Sequence, residues 1–160
     1  MILALLGAGE VVGELSLLGP QTRSASVVTL EACEVLALSR ATFESCLRAM
    51  PVLPLNLARL LARRLRLADA QIQALGTLDI AGRVARQLLA FAEEYGEPAD
   101  GGGTVIPLRL TQSDLAGMVG ATRVRVNAAM VAFKRQGSIA VDGTSRITIR
   151  NRAALERRCQ

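Results

Sequence analysis

Side chains that can read DNA bases are concentrated in one segment near the end of the chain. Arginine can donate two hydrogen bonds to guanine, and asparagine can pair with adenine. On a helix, Arg123, Val124, Asn127 and Ala128 share the face of the first two turns, with Arg125 nearby. The opposite face carries the apolar spacing of a buried side, namely Val126, Ala129, Met130 and Phe133. This pattern predicts a recognition helix, whose N-terminal turns enter the major groove.

The residues around this segment carry strong signals for a pair of helices. Thr111 can cap the first helix, with Asp114 three positions on as its capping-box partner. Gly120 suits the tight turn between the helices, and Thr122 can cap the second. A helix pair is therefore expected to position the base-reading side chains.

The order of the predicted elements is that of a winged helix-turn-helix. A strand, two helices and two hairpin strands are predicted over residues 105–110, 112–119, 123–136, 138–141 and 146–150. Asp142-Gly143 is a turn dipeptide that favours the hairpin. The predicted wing, Asp142 to Arg146, is expected to lie beside the phosphate backbone. The candidate DNA-binding residues are Thr111, Thr122, Arg123, Val124, Arg125, Asn127 and Arg146.

The distribution of charge supports a polyanionic partner. The whole chain carries a formal net charge of +5. Residues 107–160 hold 10 basic and 3 acidic side chains, a net of +7, whereas residues 79–106 are net acidic. Duplex DNA is the partner that we expect for such a surface.

Enzymatic activity is not expected. The chain contains no histidine, which removes His-based triads and most zinc sites. Its three cysteines, Cys33, Cys46 and Cys159, lack metal-ligand spacing and suit a reducing cytoplasm. The longest uncharged run, Ala49–Ala58, is far short of the roughly 20 residues that a spanning helix needs. We therefore expect a cytoplasmic protein without a metal site.

A long helix is predicted in the middle of the chain, from about Pro54 to Leu75. Leucines and Ile72 recur there at three- and four-residue steps and form one apolar seam. A second subunit can cover this seam, so residues 54–75 predict a homodimer; packing on its own domain is the alternative. Gly76-Thr77 breaks the periodicity and predicts a hinge before a helix over residues 79–95.

The first part of the chain is predicted to hold short strands and one helix. Val-, Leu- and Ile-rich runs predict strands at residues 2–6, 26–30 and 33–38. A short helix is predicted from Thr42 to Met50, where Pro51 stops it.

Taken together, these motifs resemble the catabolite-activator and fumarate-nitrate-regulator (CRP/FNR) family of bacterial transcription factors. The motifs that carry the resemblance are Gly13-Glu14-Leu15-Ser16-Leu17-Leu18, Arg23-Ser24-Ala25-Ser26-Val27, Arg63-Arg64-Leu65, Leu78-Asp79, Gly82-Arg83-Val84-Ala85, and Leu110-Thr111 through Ile139. The resemblance implies an α+β fold in three parts. These are a partial cyclic-nucleotide-binding-like β-roll over 1–50, a long dimerisation helix and hinge over 51–78, and a winged helix-turn-helix over 79–160.

By the same resemblance, the β-roll binds a cyclic nucleotide. Glu14 takes the ribose hydroxyl, Arg23 and Ser24 hold the phosphate, and Gly13 and Leu15 belong to the same motif. The cyclic-AMP-dependent activator of the family contacts adenine with a Thr-Ser pair, where this chain has Ala68 and Asp69. Ala68 cannot form a hydrogen bond, although Asp69 can accept one from an exocyclic amine. No cofactor is therefore required by the sequence, and cyclic AMP, another ligand or none all stay open.

Two further departures from the family concern DNA and the start of the chain. That activator reads DNA with an Arg-Glu pair and a second Arg, where this chain has Arg123, Val124 and Ala128, so a different operator is expected. A member normally has more strands before a segment like residues 2–9. We therefore expect that the sequence is incomplete, so that Met1 is an internal residue or an artefact; the alternative is that the protein is a genuine short form. In either case the remaining strands are expected to have unpaired edges and uncovered apolar faces.

The sequence thus predicts a homodimeric, sequence-specific regulator that binds a two-fold operator. Contact with RNA polymerase is implied by the resemblance only. The alternative is a small-molecule binding module, centred on Glu14, Arg23 and Ser24, that makes no direct contact with DNA.

Overall fold

The computed structural model describes residues 2–19 and 22–160, so Met1 lies outside the described residues. The chain forms two compact units. One consists of Ala68–Gln160 with the first few residues of the chain, and the other is Leu6–Leu67. Both units contain helices, and the boundary after Leu67 falls within one long helix, Val52–Thr77.

The larger unit contains helices and a small sheet in the predicted order. Its helices are α4 (Ile80–Tyr95), α5 (Gln112–Val119), α6 (Arg123–Arg135) and α7 (Arg152–Glu156), and its strands are β1 (Glu97–Pro98), β2 (Thr104–Ile106), β3 (Ile139–Val141) and β4 (Ile147–Ile149). A 3₁₀ turn, Arg157–Cys159, follows α7. The two central helices therefore match the prediction at both ends, except that α6 stops one residue early.

The four strands form one antiparallel sheet in the order β1-β2-β4-β3. β2 pairs with β4, with Thr104 opposite Ile149, and β3 pairs with β4 as the predicted hairpin. β2 is shorter than predicted because Pro107 cannot donate a ladder hydrogen bond. Side chains at alternate positions, including Ile147 and Ile149, point into the core.

The core of this unit lies between α4, the helix pair, α7 and the sheet. Its largest fully buried apolar side chains come from all of these elements: Val84, Leu88, Ile106, Leu115, Val126 and Leu155. The predicted core face of α6 is buried at all four positions, because those residues recur with the helical period. The core thus fixes which side of α6 is left to solvent.

The smaller unit contains α1 (Leu15–Leu18), α2 (Arg40–Ala49) and the first part of α3 (Val52–Thr77). α2 confirms the predicted short helix, although it begins two residues earlier because Ser39 caps it. The strand predictions at residues 2–6, 26–30 and 33–38 are wrong, since no described residue before α4 is in a strand. A strand needs a neighbouring strand to supply its hydrogen bonds, and none of these apolar runs pairs with a strand in the described chain.

The apolar side chains of the runs at residues 26–30 and 33–38 are accordingly uncovered. Every described residue from 22 to 38 is exposed. Val28, Val35 and Leu36 each expose more than 80% of their surface. This part of the chain keeps the composition of strands without their pairing.

The long helix is present and continues past the predicted hinge. Gly76 lies within α3, which ends at Thr77, and only Leu78 and Asp79 separate α3 from α4. Glycine lowers helix stability without preventing the helix, so the break falls where Asp79 caps α4. The interruption is therefore shorter, and lies later, than the sequence predicted.

Candidate functional site

The exposed face of α6 carries the base-reading candidates. Val126 is fully buried, whereas Arg123, Val124, Arg125 and Asn127 are all exposed. The structure thus brings these four side chains together on the first two turns of one helix, which is the part of a recognition helix that meets base edges.

The helix pair is joined by the capping interactions that the sequence indicates. Thr111 Oγ1 accepts a hydrogen bond from the Asp114 amide at 3.1 Å, and Asp114 accepts one from the Thr111 amide at 2.9 Å. Gly120 ends α5 in the left-handed conformation, with φ 61° and ψ 46°. Thr122 then caps α6 by accepting from the Arg125 amide. Thr111 therefore fixes the start of α5 and Thr122 the start of α6, and both residues are exposed.

Asn127 has a neighbour on α5 that no sequence pattern indicates. The side-chain amide of Gln112 donates to Asn127 Oδ1 at 2.9 Å. Gln112 is half-buried at the start of α5, while Asn127 is exposed on α6. This contact leaves the Asn127 amide group, a donor, directed away from Gln112. A separation of 15 residues gave no sequence signal for the pair.

The arginines of α6 are free to meet an anionic partner. Within the described ranges, the side chains of Arg123 and Arg125 form no ion pair, and both are exposed. Arg125 lines a shallow depression together with Asp79, Ile80 and Arg83 at the start of α4. An unpaired guanidinium gains most from phosphate or from guanine, because both offer two acceptor atoms.

The wing is an ordered loop built on Asp142. Its carboxylate accepts from the Thr144 hydroxyl at 2.7 Å, the Arg146 amide at 2.9 Å and Arg146 Nε at 3.1 Å. The Thr144 hydroxyl, followed by the Arg146 amide, lowers the pKa of Asp142 from 3.8 to about 2. Ser145 has φ 65°, so the hairpin uses a longer turn than the Asp142-Gly143 dipeptide alone. Arg146 therefore lies in the wing with one guanidinium edge held by Asp142.

The smaller unit contains a cleft of about 570 Å³. It is lined by Val12, Gly13, Glu14, Leu15, Ser16, Arg23, Ser24, Ala25, Ser26, Val27 and Arg64. Five of the six predicted ligand residues thus line one cleft. Asp69, the sixth, belongs to the other compact unit and is not among the lining residues.

The polar groups of the cleft are held by their neighbours. Arg23 donates to the Gly13 carbonyl at 3.1 Å and to Ser16 Oγ at 2.9 Å. Gly13 has φ +86°, and a side chain there would collide with the Arg23 guanidinium. Glu14 is 3% exposed and forms an ion pair with Arg64 at 2.5 Å. Arg64 belongs to the Arg63-Arg64-Leu65 motif, and the structure places it at the lining of the cleft.

The cleft can bind an anion through two guanidinium groups, from Arg23 and Arg64. The hydroxyl of Ser24 is also at its lining. Among residues 2–19 and 22–160, no group of three or more His, Cys, Asp or Glu side chains is placed to hold a metal ion. None of the described helices is long and apolar enough to cross a membrane.

Comparison with known proteins identifies the family. Residues 82–158 match the Crp-like helix-turn-helix domain, and residues 1–50 match the cyclic nucleotide-binding domain. The chain is 34% identical over 159 residues to the CRP-like cAMP-activated global transcriptional regulator of Mycobacterium tuberculosis, with 99% of this chain and 70% of that protein covered. The chain belongs to the CRP/FNR family of transcription regulators.

Other CRP/FNR members support the same relationship. The cyclic AMP receptor protein of Thermus thermophilus is 38% identical over 154 residues, covering 96% of this chain and 67% of that protein. The c-di-GMP-responsive global regulator CLP of Xanthomonas campestris superposes with a TM-score of 0.77 at 25% identity, covering 92% and 73% of the two chains. A CRP/FNR-family transcriptional regulator from Thermus thermophilus superposes with a TM-score of 0.60 at 28% identity, covering 68% and 55%.

Membership of the CRP/FNR family confirms the predicted α+β fold class with its helix-turn-helix and cyclic-nucleotide-binding-like parts. It also confirms the prediction of a transcription regulator. The two relatives compared by sequence bear names that refer to cyclic AMP, and CLP is described as responding to c-di-GMP. Related folds thus serve different nucleotides.

Proposed function

We propose that this CRP/FNR-family protein binds duplex DNA in a sequence-specific manner, with the first two turns of α6 in the major groove. The observation that carries the proposal is the pair of exposed, unpaired guanidinium groups of Arg123 and Arg125 on the DNA-reading turns. Arg123 contacts base edges and Arg125 a phosphate, because Arg125 lies towards the start of α4. Thr111, Thr122, Val124, Asn127 and the wing residue Arg146 complete the surface.

A homodimer is the second part of the proposal. Apolar side chains of α3 follow a heptad pattern, with Leu65 and Ile72 at one position and Leu61 and Leu75 at the other. Leu65 and Ile72 expose 63% and 67% of their surface. A second copy of α3 covers them, and the resulting two-fold axis presents two copies of α6 to half-sites about one helical turn apart.

Control by an anionic ligand is the third part. A ligand in the cleft meets Arg23, Ser24 and Arg64, with cyclic nucleotides as the class that the domain match favours. Its phosphate competes with Glu14 for Arg64, which lies on α3. Residues 1–50 therefore sense the ligand, 51–78 dimerise and transmit, and 79–160 read DNA and act on transcription through RNA polymerase.

Selection of bound sequences from a random duplex pool tests the proposal, with and without cyclic AMP. The expected product is a two-fold sequence motif. Binding is then measured for Arg123→Ala and for Arg135→Ala, since both residues are exposed arginines of α6 and only Arg123 lies in its first turns.

Arg123→Ala should weaken binding to the selected operator roughly fivefold or more, with a much smaller loss on random DNA. Arg135→Ala should affect the two DNAs equally, because it removes the same charge without a base contact. Equal losses on both DNAs for Arg123→Ala would contradict base reading. No binding to any duplex at low salt would favour a small-molecule binding module instead.

A further inference from the structure

The exposed face of α6 contains an apolar stripe among its polar groups. Val124 exposes 78% of its surface and Val131 exposes 45%. Beyond α3, these two are the only exposed large hydrophobic side chains in the part of the chain that the structure describes. Every other large apolar side chain that follows α3 is buried or half-buried. Their restriction to one helix therefore needs an explanation.

The stripe is located at the centre of the DNA-facing side. Val124, Ala128 and Val131 follow the i, i+4, i+7 spacing of one helix face, and all three are exposed. This face is opposite the buried face that begins with Val126. Of the three stripe residues, Val124 and Ala128 lie in the first two turns of α6 and are therefore placed to reach base edges, whereas Val131 is not.

Polar residues flank these two apolar side chains. Arg123 and Asn127 lie on one side of the stripe, and Arg125 on the other, next to the depression at α4. An apolar side chain in a groove gains nothing from base donors and acceptors, and it excludes water that would satisfy them. It gains free energy only against an apolar group. In the major groove that group is the methyl on C5 of a pyrimidine.

We infer that Val124, supported by Ala128, is a specificity-determining residue that contacts the C5-methyl group of a pyrimidine, thymine in ordinary DNA. The inference rests on the proposed function, because it assigns a base feature to the same helix. A branched side chain at position 124 covers the methyl group from two directions, and the small Ala128 leaves room for the base edge to approach. The neighbouring Arg123 reads the adjacent base.

Replacement of thymine by deoxyuridine provides the test, because it removes the methyl group and leaves all hydrogen-bonding atoms in place. Each thymine of one half-site of the selected operator is replaced in turn, and the dissociation constant of the full chain is measured. We expect about a fourfold weaker affinity at one or two positions, since burial of one CH₂-sized group contributes about 0.8 kcal/mol. Cytosine and 5-methylcytosine at the same position separate the methyl group from the identity of the base.

Val124→Ala and Val131→Ala are the matched variants. Val124→Ala should lose most of the methyl dependence, whereas Val131→Ala, on the same stripe beyond the first two turns, should keep it. Thermal unfolding of each variant verifies that both are folded, as expected for exposed positions.

The possible results separate this inference from the proposed function. Enrichment of no sequence from the pool overturns both. An enriched operator whose affinity is unchanged by every deoxyuridine overturns the inference alone, and so does a methyl effect that survives in Val124→Ala. A preference restored by 5-methylcytosine shows that Val124 reads the methyl group whichever pyrimidine carries it. If thymine gives tight binding but 5-methylcytosine binds no better than cytosine, atoms of the base other than the methyl group determine the affinity, and the inference is overturned.

Discussion

Asp142 orders the wing before any partner is present. Its carboxylate holds the Thr144 hydroxyl, the Arg146 amide and Arg146 Nε in one loop. The remaining edge of the Arg146 guanidinium is directed by this contact instead of moving freely. A residue proposed to meet phosphate is thus partly preorganised, which lowers the entropy cost of binding.

The pKa of Asp142 predicts when this order is lost. The pKa is lowered to about 2 in the folded chain, so the ionised carboxylate stabilises the turn at any pH above 3.8. This stabilisation is lost as the pH falls from 3.8 towards 2. A ¹³C titration of the Asp142 carboxyl group should give a midpoint near 2. Thr144→Ala should raise that midpoint, since the Thr144 hydroxyl is the largest cause of the shift. A midpoint at or above 3.8 in the native protein would contradict the loop geometry.

Gln112 donates a hydrogen bond to Asn127, and we propose that it positions this side chain. Because its Oδ1 already accepts from Gln112, Asn127 has only its NH₂ group left to contact a base. It is therefore expected to donate to a single base acceptor, and not to form the two-bond contact with adenine that needs both groups. Gln112→Ala should reduce discrimination at the base opposite Asn127 by about two- to tenfold, the range of one hydrogen bond. Gln136→Ala, an exposed glutamine after α6, is the control. Unchanged discrimination in competition binding would remove this role from Gln112.

At the scale of elements, the angle between α5 and α6 depends on one backbone conformation. Gly120 adopts φ 61°, and a Cβ there would lie 3.2 Å from Leu75 Cδ2. The helix pair can present α6 correctly only if this turn is tight, because the Thr122 cap begins two residues later. The turn is therefore a structural requirement of the recognition surface.

Substitution of Gly120 should destabilise the whole unit. Gly120→Ala is expected to lower the free energy of unfolding by about 1–2 kcal/mol, because a Cβ disfavours the left-handed conformation. Urea unfolding measures the loss. Gly143→Ala, where nothing lies within 4 Å of an added Cβ, should change stability by no more than about 0.5 kcal/mol. Equal effects at the two glycines would show that the turn is not constrained.

At the scale of the whole molecule, we propose that the exposed apolar seam of α3 joins two copies of the chain. Leu65 and Leu67 expose similar fractions, 63% and 59%, but only Leu65 lies on the heptad seam. Leu65→Glu should weaken dimerisation roughly tenfold or more, because it would bury an unpaired charge. Leu67→Glu should leave the dimer intact. Sedimentation at several concentrations measures both, and dissociation by the two variants alike would place the interface elsewhere.

Local interactions made the DNA-reading part of this chain predictable from sequence. The bounds of α5, the capping box of Thr111 and Asp114, the left-handed Gly120 and the buried face of α6 all depend on residues within about four positions of one another. Such signals are present in any short window of sequence, because they come from the helical repeat and from backbone donors at helix ends. The sequence alone therefore determined which side chains α6 exposes.

Contacts between distant residues were decided only by the tertiary structure. Gln112 meets Asn127 across 15 residues, and Arg64 meets Glu14 across 50. The apolar runs at 26–30 and 33–38 have strand composition, but a strand exists only where another strand supplies its hydrogen bonds. Periodicity identifies a candidate face or strand, whereas the partner that completes it depends on how the whole chain folds.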